Sequence, residues 1–254
     1  MRMFLALALA VTLGGAACVA GPIDAVTVDP ENLTNALVAH WRFDEGAGML
    51  VGDNSGNAHG GTLTGGIWSP VGRFGGALEL APGNYVTVPN FPTATANWTV
   101  SVWTKVSPSQ LVADMDETTI ITTETVLKGG WQMHLDNRPD KQRYDAAYWV
   151  GPDISDYVEV DCACIEPDVW VHLVAVYDTD VGRLTLYRDG APISRIAMPK
   201  PIQAGDSTLY IGAWNMAGRY LAAVVDDFAI WARALGPAEI GLVFATSPGA
   251  AGSR

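Results

Sequence analysis

Basic side chains are scarce in this sequence. Its 254 residues hold 15 Lys and Arg against 27 Asp and Glu, a formal net charge of −12. That balance excludes a non-specific electrostatic grip on nucleic acid or anionic lipid, both of which need clustered positive charge. Cysteine is rarer still, with three residues, and two thiolates alone make a weak metal site. Histidine is limited to His40, His59, His134 and His172, none at zinc-ligand spacing. A glycine loop that cradles phosphate before a helix is missing, and so is a nucleophile elbow. Apart from one run at the N-terminus there is no apolar stretch of about 18 residues, so nothing else should span a bilayer.

That one run reads as an export signal. Arg2 precedes the apolar residues from Phe4 to Leu13, which match a signal-peptide core in length and are too short to cross a membrane. Small residues Gly14 to Ala17 lead to Cys18, a pattern that resembles a bacterial lipobox. The resemblance implies lipidation at Cys18, and Val19 after it implies sorting to the outer membrane. Gly15 departs from the aliphatic residue usual there, which leaves ordinary secretion open. Residues 19–36 contain Pro22 and Pro30 without sustained periodicity, and are expected to form a tether.

Composition then argues for one large folded unit. Hydrophobic residues make up 49% and charged residues 17%, ample for a core. Alternation marks a strand through Val38, His40 and Arg42 against Ala39, Trp41 and Phe43, followed by a turn and the loop Asp53 to Gly61. Further strands are predicted over Thr99 to Val106, around Lys128 to Leu135 and Ala146 to Val150, and over Ser207 to Trp214. Trp170 to Tyr177 is apolar on both faces, as inside a sandwich, and Arg183 to Arg188 runs into the hairpin signal Asp189-Gly190. Near the end, Val224 to Leu235 alternates but spends two adjacent positions on Asp226 and Asp227, which should point to opposite faces, one toward something positive. Pro237 to Ala245 is the single helix of length, with proline suited to its first turn.

These segments resemble a known family. Trp41-Arg42-Phe43-Asp44-Glu45, the loop Asp53-Asn54-Ser55-Gly56-Asn57, and the glycine-rich Gly72 to Leu80 with Tyr85 to Val88 are similar to laminin G-like, concanavalin A-like domains. So are Trp170-Val171-His172-Leu173 and the closing Val225-Asp226-Asp227-Phe228 with Ala234-Leu235. The resemblance implies an all-β, antiparallel two-sheet jelly roll over residues 37–246, with a short C-terminal helix and a tail over 247–254. It also implies a structural calcium, held by carboxylates of Asp53 and Asp226 with oxygens from Asn54, Gly56 or Asn57. Calcium takes about six to eight oxygens, which a turn rich in Asp, Asn and Gly can supply. The alternative is that Asp53 caps its own turn and Asp226 pairs with an Arg or an unpaired amide.

Because such folds host binding and hydrolysis alike, the site must decide. Retaining glucanases of this architecture place three carboxylates at alternate positions of one strand. Here Glu159-Val160-Asp161 begins that pattern, but positions 163 and 164 are Ala and Cys, and Glu166 comes too late. On this reading the protein is not a hydrolase, and Glu159→Gln leaves glycan binding intact. Cys162 and Cys164 should oxidise after export into a small strained ring. Sugars stack on exposed aromatics, so Trp131, Tyr144, Trp149 and Trp214 are the candidate ligand contacts. The function expected is a binding module for glycan or surface protein that touches a membrane only through its anchor. The other reading is a structural adhesion component.

Overall fold

The structure is a computed structural model that describes residues 29–248 except 113–116, 125–128, 152, 154–155, 163–164 and 216–217. Lipidation at Cys18, and Cys164, lie outside the described residues. In chain order the strands are β1 (Leu37–Trp41), β2 (Leu50–Val51), β3 (Gly61–Thr64), β4 (Ile67–Ser69), β5 (Ala77–Leu80), β6 (Tyr85–Val88), β7 (Trp98–Val106) and β8 (Glu117–Thr122). They continue with β9 (Trp131–Asp136), β10 (Arg143–Trp149), β11 (Tyr157–Cys162), β12 (Val171–Asp178), β13 (Arg183–Arg188), β14 (Ala191–Ala197), β15 (Leu209–Ile211) and β16 (Ala223–Trp231). Helix α1 spans Pro237–Ala245, as its sequence suggested.

The strands form two antiparallel sheets. Sheet A runs β14-β13-β12-β7-β16-β5-β4 with β1 added beside β16, and sheet B runs β11-β10-β9-β8-β15-β6-β3-β2. Between them lies the main core, where Trp41, Val100, Val102, Trp131, Met133, Leu135, Ala146, Tyr148 and Ile230 meet. Behind sheet A a second cluster of Leu33, Val174, Val176, Trp231, Ile240 and Val243 seats α1 as a third layer. This explains why Val171–Asp178 is apolar on both faces, since each face meets a different hydrophobic layer.

The predicted boundaries need correction at both ends. Pro30–Thr34 forms a 3-10 turn whose Leu33 is buried, and the Leu33 carbonyl accepts a hydrogen bond from the Trp231 indole at 2.7 Å. Residues 30–36 thus belong to the domain rather than to the tether. At the other end Ser247 is buried and donates to Asp227, so the tail begins later than residue 247.

Strand β16 organises sheet A by dividing its pairing. Val225 and its N-terminal neighbours pair with β5, while Phe228 to Trp231 pair with β1, and β7 runs along the other side. The register shifts between Asp226 and Ala229, and Asp227 takes a positive φ of 49°. Simple alternation therefore breaks at the paired aspartates, because a bulge re-aims its residues.

Candidate functional site

Of the expected calcium ligands, Asp53 is filled by hydrogen bonds from the protein itself. Asp53 Oδ1 accepts from the backbone N–H of His40 at 3.0 Å and of Ser55 at 2.8 Å. Its Oδ2 accepts from the His59 N–H and the Ser55 hydroxyl, both at 2.9 Å. A carboxylate has about four lone-pair positions, so these donors fill Asp53. Burial pulls its pKa up, but the N–H groups of His40, Ser55 and His59 outweigh that and hold it below the usual value. Asn57 uses its amide to donate to the carbonyls of Leu37 and Val38 at 2.7 and 3.0 Å, and the Asn54 N–H donates to the His40 carbonyl.

Asp226 closes a different loop. Its Oδ2 accepts the backbone N–H groups of Arg73 and Phe74 at 2.7 and 2.8 Å. Gly72 lets that loop come close, since a Cβ there would lie 2.6 Å from the same oxygen. Burial drives the Asp226 pKa up to about 7, against the pull of the Phe74 N–H. Asp53 thus caps its own turn and Asp226 Oδ2 takes unpaired amides, as the alternative reading has it, while Asp226 Oδ1 is buried without a hydrogen-bond partner among the described residues. The other aspartate of the pair, Asp227, meets His40, whose Nε2 lies 2.7 Å from Asp227 Oδ1.

The aromatic candidates also need correction. Trp131 and Tyr144 are fully buried and point between the sheets, because they share strand parity with Met133, Leu135 and Ala146. Trp149 is 5% exposed, with its ring centroid 5.1 Å from that of Tyr157. Trp214 is half-buried under the Arg219 guanidinium, which sits 4.8 Å from the ring centroid. None of the four is an open platform, and only Trp149 and Trp214 stand away from the core.

The alternate positions on the same strands carry chemistry. Gln132, His134 and Asp136 on β9, Arg143 and Asp145 on β10, and Tyr157, Glu159 and Asp161 on β11 face away from sheet A. The registers set His134 opposite Asp145 and Asp145 opposite Asp161, with Ala147 between Gln132 and Glu159. Arg143 is the hub: its guanidinium nitrogens lie 2.7 Å from Asp161, 3.0 Å from Glu159, 3.1 Å from Asp145 and 3.5 Å from Asp136. Beneath it His134 Nε2 lies 3.7 Å from both Asp145 Oδ2 and Glu159 Oε2.

This face is polar yet largely shielded from solvent. Gln132, His134 and Asp145 are each no more than 2% exposed. The Gln132 amide donates to the Tyr157 hydroxyl at 2.8 Å, but Gln132 Oε1, His134 Nδ1 and both Asp145 oxygens have no hydrogen-bond partner among the described residues. Burial, reinforced by the neighbouring Glu159, pushes the Asp145 carboxyl up to about 8. Burial likewise raises Glu159 and lowers His134 to about 3, so the imidazole is neutral. Asp136, paired with Arg138, is held down to about 2 against its burial. Buried polar groups are normally satisfied, so a cluster of unsatisfied ones marks a place built to meet something else.

Of these residues only Glu159 and Asp161 stood out in the sequence, as an incomplete glucanase pattern. The missed signal was alternation: every second residue of Trp131–Asp136 and Tyr157–Cys162 is polar, as are Arg143 and Asp145 in the strand between them. Cys162 at the end of β11 is disulfide-bonded.

Two antiparallel sheets with one polar, shielded outer face define a jelly-roll sandwich of the lectin and glucanase type. The family described as the concanavalin A-like lectin/glucanases superfamily matches residues 80–241, and the chain belongs to it. No curated protein matches the sequence. Among solved structures, the receptor-binding domain of botulinum neurotoxin D superposes with a TM-score of 0.64 at 17% identity, covering 84% of this chain and 53% of that one. The serotype D ligand-binding domain in complex with N-acetylneuraminic acid gives 0.66 at 17% identity, with 85% and 52% covered. The binding domain of Paraclostridial Mosquitocidal Protein 1 gives 0.66 at 17% identity, with 84% and 52% covered. This chain thus spans about half the length of those structures, and at such identity the likeness is one of fold.

Proposed function

We propose that the chain is an exported, lipid-anchored binding module whose outer face of sheet B takes a glycan at the cell surface. The observation that carries this reading is the row of buried Gln132, His134 and Asp145, with Gln132 Oε1 and His134 Nδ1 lacking hydrogen-bond partners among the described residues, beside the partly exposed Glu159 and Asp161. Trp149 and Tyr157 flank it, and Trp214 adjoins it through Arg219, which pairs with Glu117 opposite Asp136. Carboxylates and amides on a rigid sheet can bond vicinal sugar hydroxyls, and an aromatic edge adds stacking. The three similar structures are binding domains, one of them in complex with N-acetylneuraminic acid, which supports a binding role. The signal-like run from Phe4 to Leu13 and Cys18 supports export and anchoring.

A glycan panel tests the reading. Saturable binding should be lost in Glu159→Gln and Trp214→Ala while both variants keep the wild-type melt, which reverses the expectation drawn from Glu159 in the sequence alone. Binding unchanged in both would move the ligand off this face.

One observation favours a second reading. Asp145 is held protonated up to about pH 8 beside Glu159, and a carboxyl kept neutral near pH 7 can act as a general acid. Release of reducing ends from any bound glycan, lost in Asp145→Asn, would make the module a hydrolase.

A further inference from the structure

Among the described residues two arginines lack a partner. Every other arginine there meets a carboxylate or, in the case of Arg73, lies over the rings of Phe74 and Trp103. Arg183 on β13 and Arg195 on β14 make no hydrogen bond, ion pair or ring contact. Asp178 pairs in register with Arg183 on β12, but its Oδ1 accepts the N–H groups of Asp180 and Val181 instead.

The fold brings these two arginines together. Leu184 and Leu186 turn into the main core, so Arg183, Thr185 and Tyr187 face outward from sheet A, where Tyr187 joins the apolar layer under α1. Register sets Arg195 opposite Thr185 and Ala197 opposite Arg183, which makes the arginines diagonal neighbours on that outer face, within reach of each other's long side chains. Burial raises the Tyr187 hydroxyl pKa and the Arg183 charge opposes it, so the guanidinium stands near that ring. Both arginines line one cleft of about 280 Å³, together with the hydroxyl-bearing Thr185 and Ser194 and the apolar Pro192 and Ile193. Like charges side by side repel, and an anion between them removes that repulsion.

We propose that this cleft is a ligand subsite for one carboxylate or sulfate group carried on an otherwise neutral sugar. Each guanidinium presents a planar fork of N–H donors that matches the paired oxygens of such a group. Thr185 and Ser194 suit ring hydroxyls, and Pro192 with Ile193 suits the C–H face of the ring. Ligand pockets run to about 300–1,000 Å³, so a cleft at the small end takes one ring rather than a length of chain. Net charge limits the partner further: at −12 the chain as a whole repels an extended polyanion or an anionic membrane. The subsite lies on the outer face of sheet A and the glycan reading concerns the outer face of sheet B, so neither depends on the other.

The experiment follows the arginine Nε–H resonances of the full chain by NMR as glucuronate, glucose 6-sulfate, glucose and inorganic sulfate are added in turn. Glucuronate and glucose 6-sulfate should shift the Arg183 and Arg195 signals saturably, glucose should shift neither, and inorganic sulfate should bind about tenfold more weakly than its sugar ester. Added salt should weaken both acids. Arg183→Gln and Arg195→Gln, at exposed positions that leave the melt unchanged, should each weaken glucuronate by about tenfold. Glu159→Gln should bind glucuronate as wild type does, which separates this subsite from the face of sheet B. The proposal is overturned if neither acid shifts the two arginines, if glucose shifts them as much, or if the folded double variant binds glucuronate as wild type does. Inorganic sulfate held as tightly as glucose 6-sulfate would overturn it too, since the sugar then contributes nothing. So would capture by phosphatidylglycerol vesicles without a response to either acid.

Discussion

His40 Nε2 and Asp227 Oδ1 lie 2.7 Å apart, joining the first strand to the last across 187 residues. Both side chains are buried, at 2% and 1% exposure, and the Ser247 hydroxyl donates to the same Asp227 oxygen. The bulge that turns Asp227 toward His40 leaves Asp226 free to hold the loop containing Arg73 and Phe74. Two adjacent carboxylates thereby fasten two separate parts of the chain.

Asp227→Ala leaves His40 buried without its partner, which should cost about 1–3 kcal/mol. Denaturant unfolding should show that loss, with a smaller one for Asp227→Asn, which keeps an acceptor oxygen. A variant as stable as wild type would mean that the pair is incidental to the fold.

Asp226 predicts a pH dependence. Its folded pKa is about 7 against an ordinary 3.8, so the folded state binds the extra proton between those values. Its contribution is fully present below about pH 4 and is lost as pH rises toward 7. Asp226→Asn keeps an acceptor for the Arg73 and Phe74 N–H groups without the charge. Melts of the two proteins should converge near pH 4, with the variant relatively more stable at pH 8. A constant offset across that range would contradict the raised pKa.

Trp131 and Trp214 should behave oppositely. Trp131→Ala opens the core and should cost about 3–5 kcal/mol, with no change in affinity per folded molecule. Trp214→Ala should leave the melt within about 0.5 kcal/mol and alter binding, because its half-buried ring adjoins the polar face through Arg219 and Glu117. Chemical unfolding and a binding isotherm on the same samples separate the two effects.

The disulfide at Cys162 is open to direct mapping. Without reductant, proteolysis should yield Cys162 and Cys164 bonded within one short peptide. Linkage of Cys162 to Cys18 would place the signal-proximal segment against β11 and would contradict lipidation.

Much of the fold was legible because its signals are local. Alternation in Thr99 to Val106, the doubly apolar Val171–Asp178, the Asp189-Gly190 turn and the proline-led helix at Pro237 each depend on a few neighbouring residues, and each stands where it was expected. The site was less legible. Trp131 and Tyr144 were drawn into it by residue type, although one step along each strand reverses the face, and Gln132 and Asp145 were the positions that counted. Asp53 and Asp226 were joined by resemblance, yet Asp53 is filled by donors from His40, Ser55 and His59, and Asp226 Oδ2 takes the Arg73 and Phe74 N–H groups, pairings that no pattern of side chains displays.

The sequence by itself determined the class of fold and the helix at Pro237–Ala245, since periodicity is a property of the chain read in order. Only the tertiary structure decided which carboxylates meet. Asp145, Glu159 and Asp161 come together on adjacent strands through β-pairing register, and His134 lies beneath them on the third. Register is fixed by how the two sheets bury their apolar faces against each other, which is a condition on the whole domain rather than on any one segment.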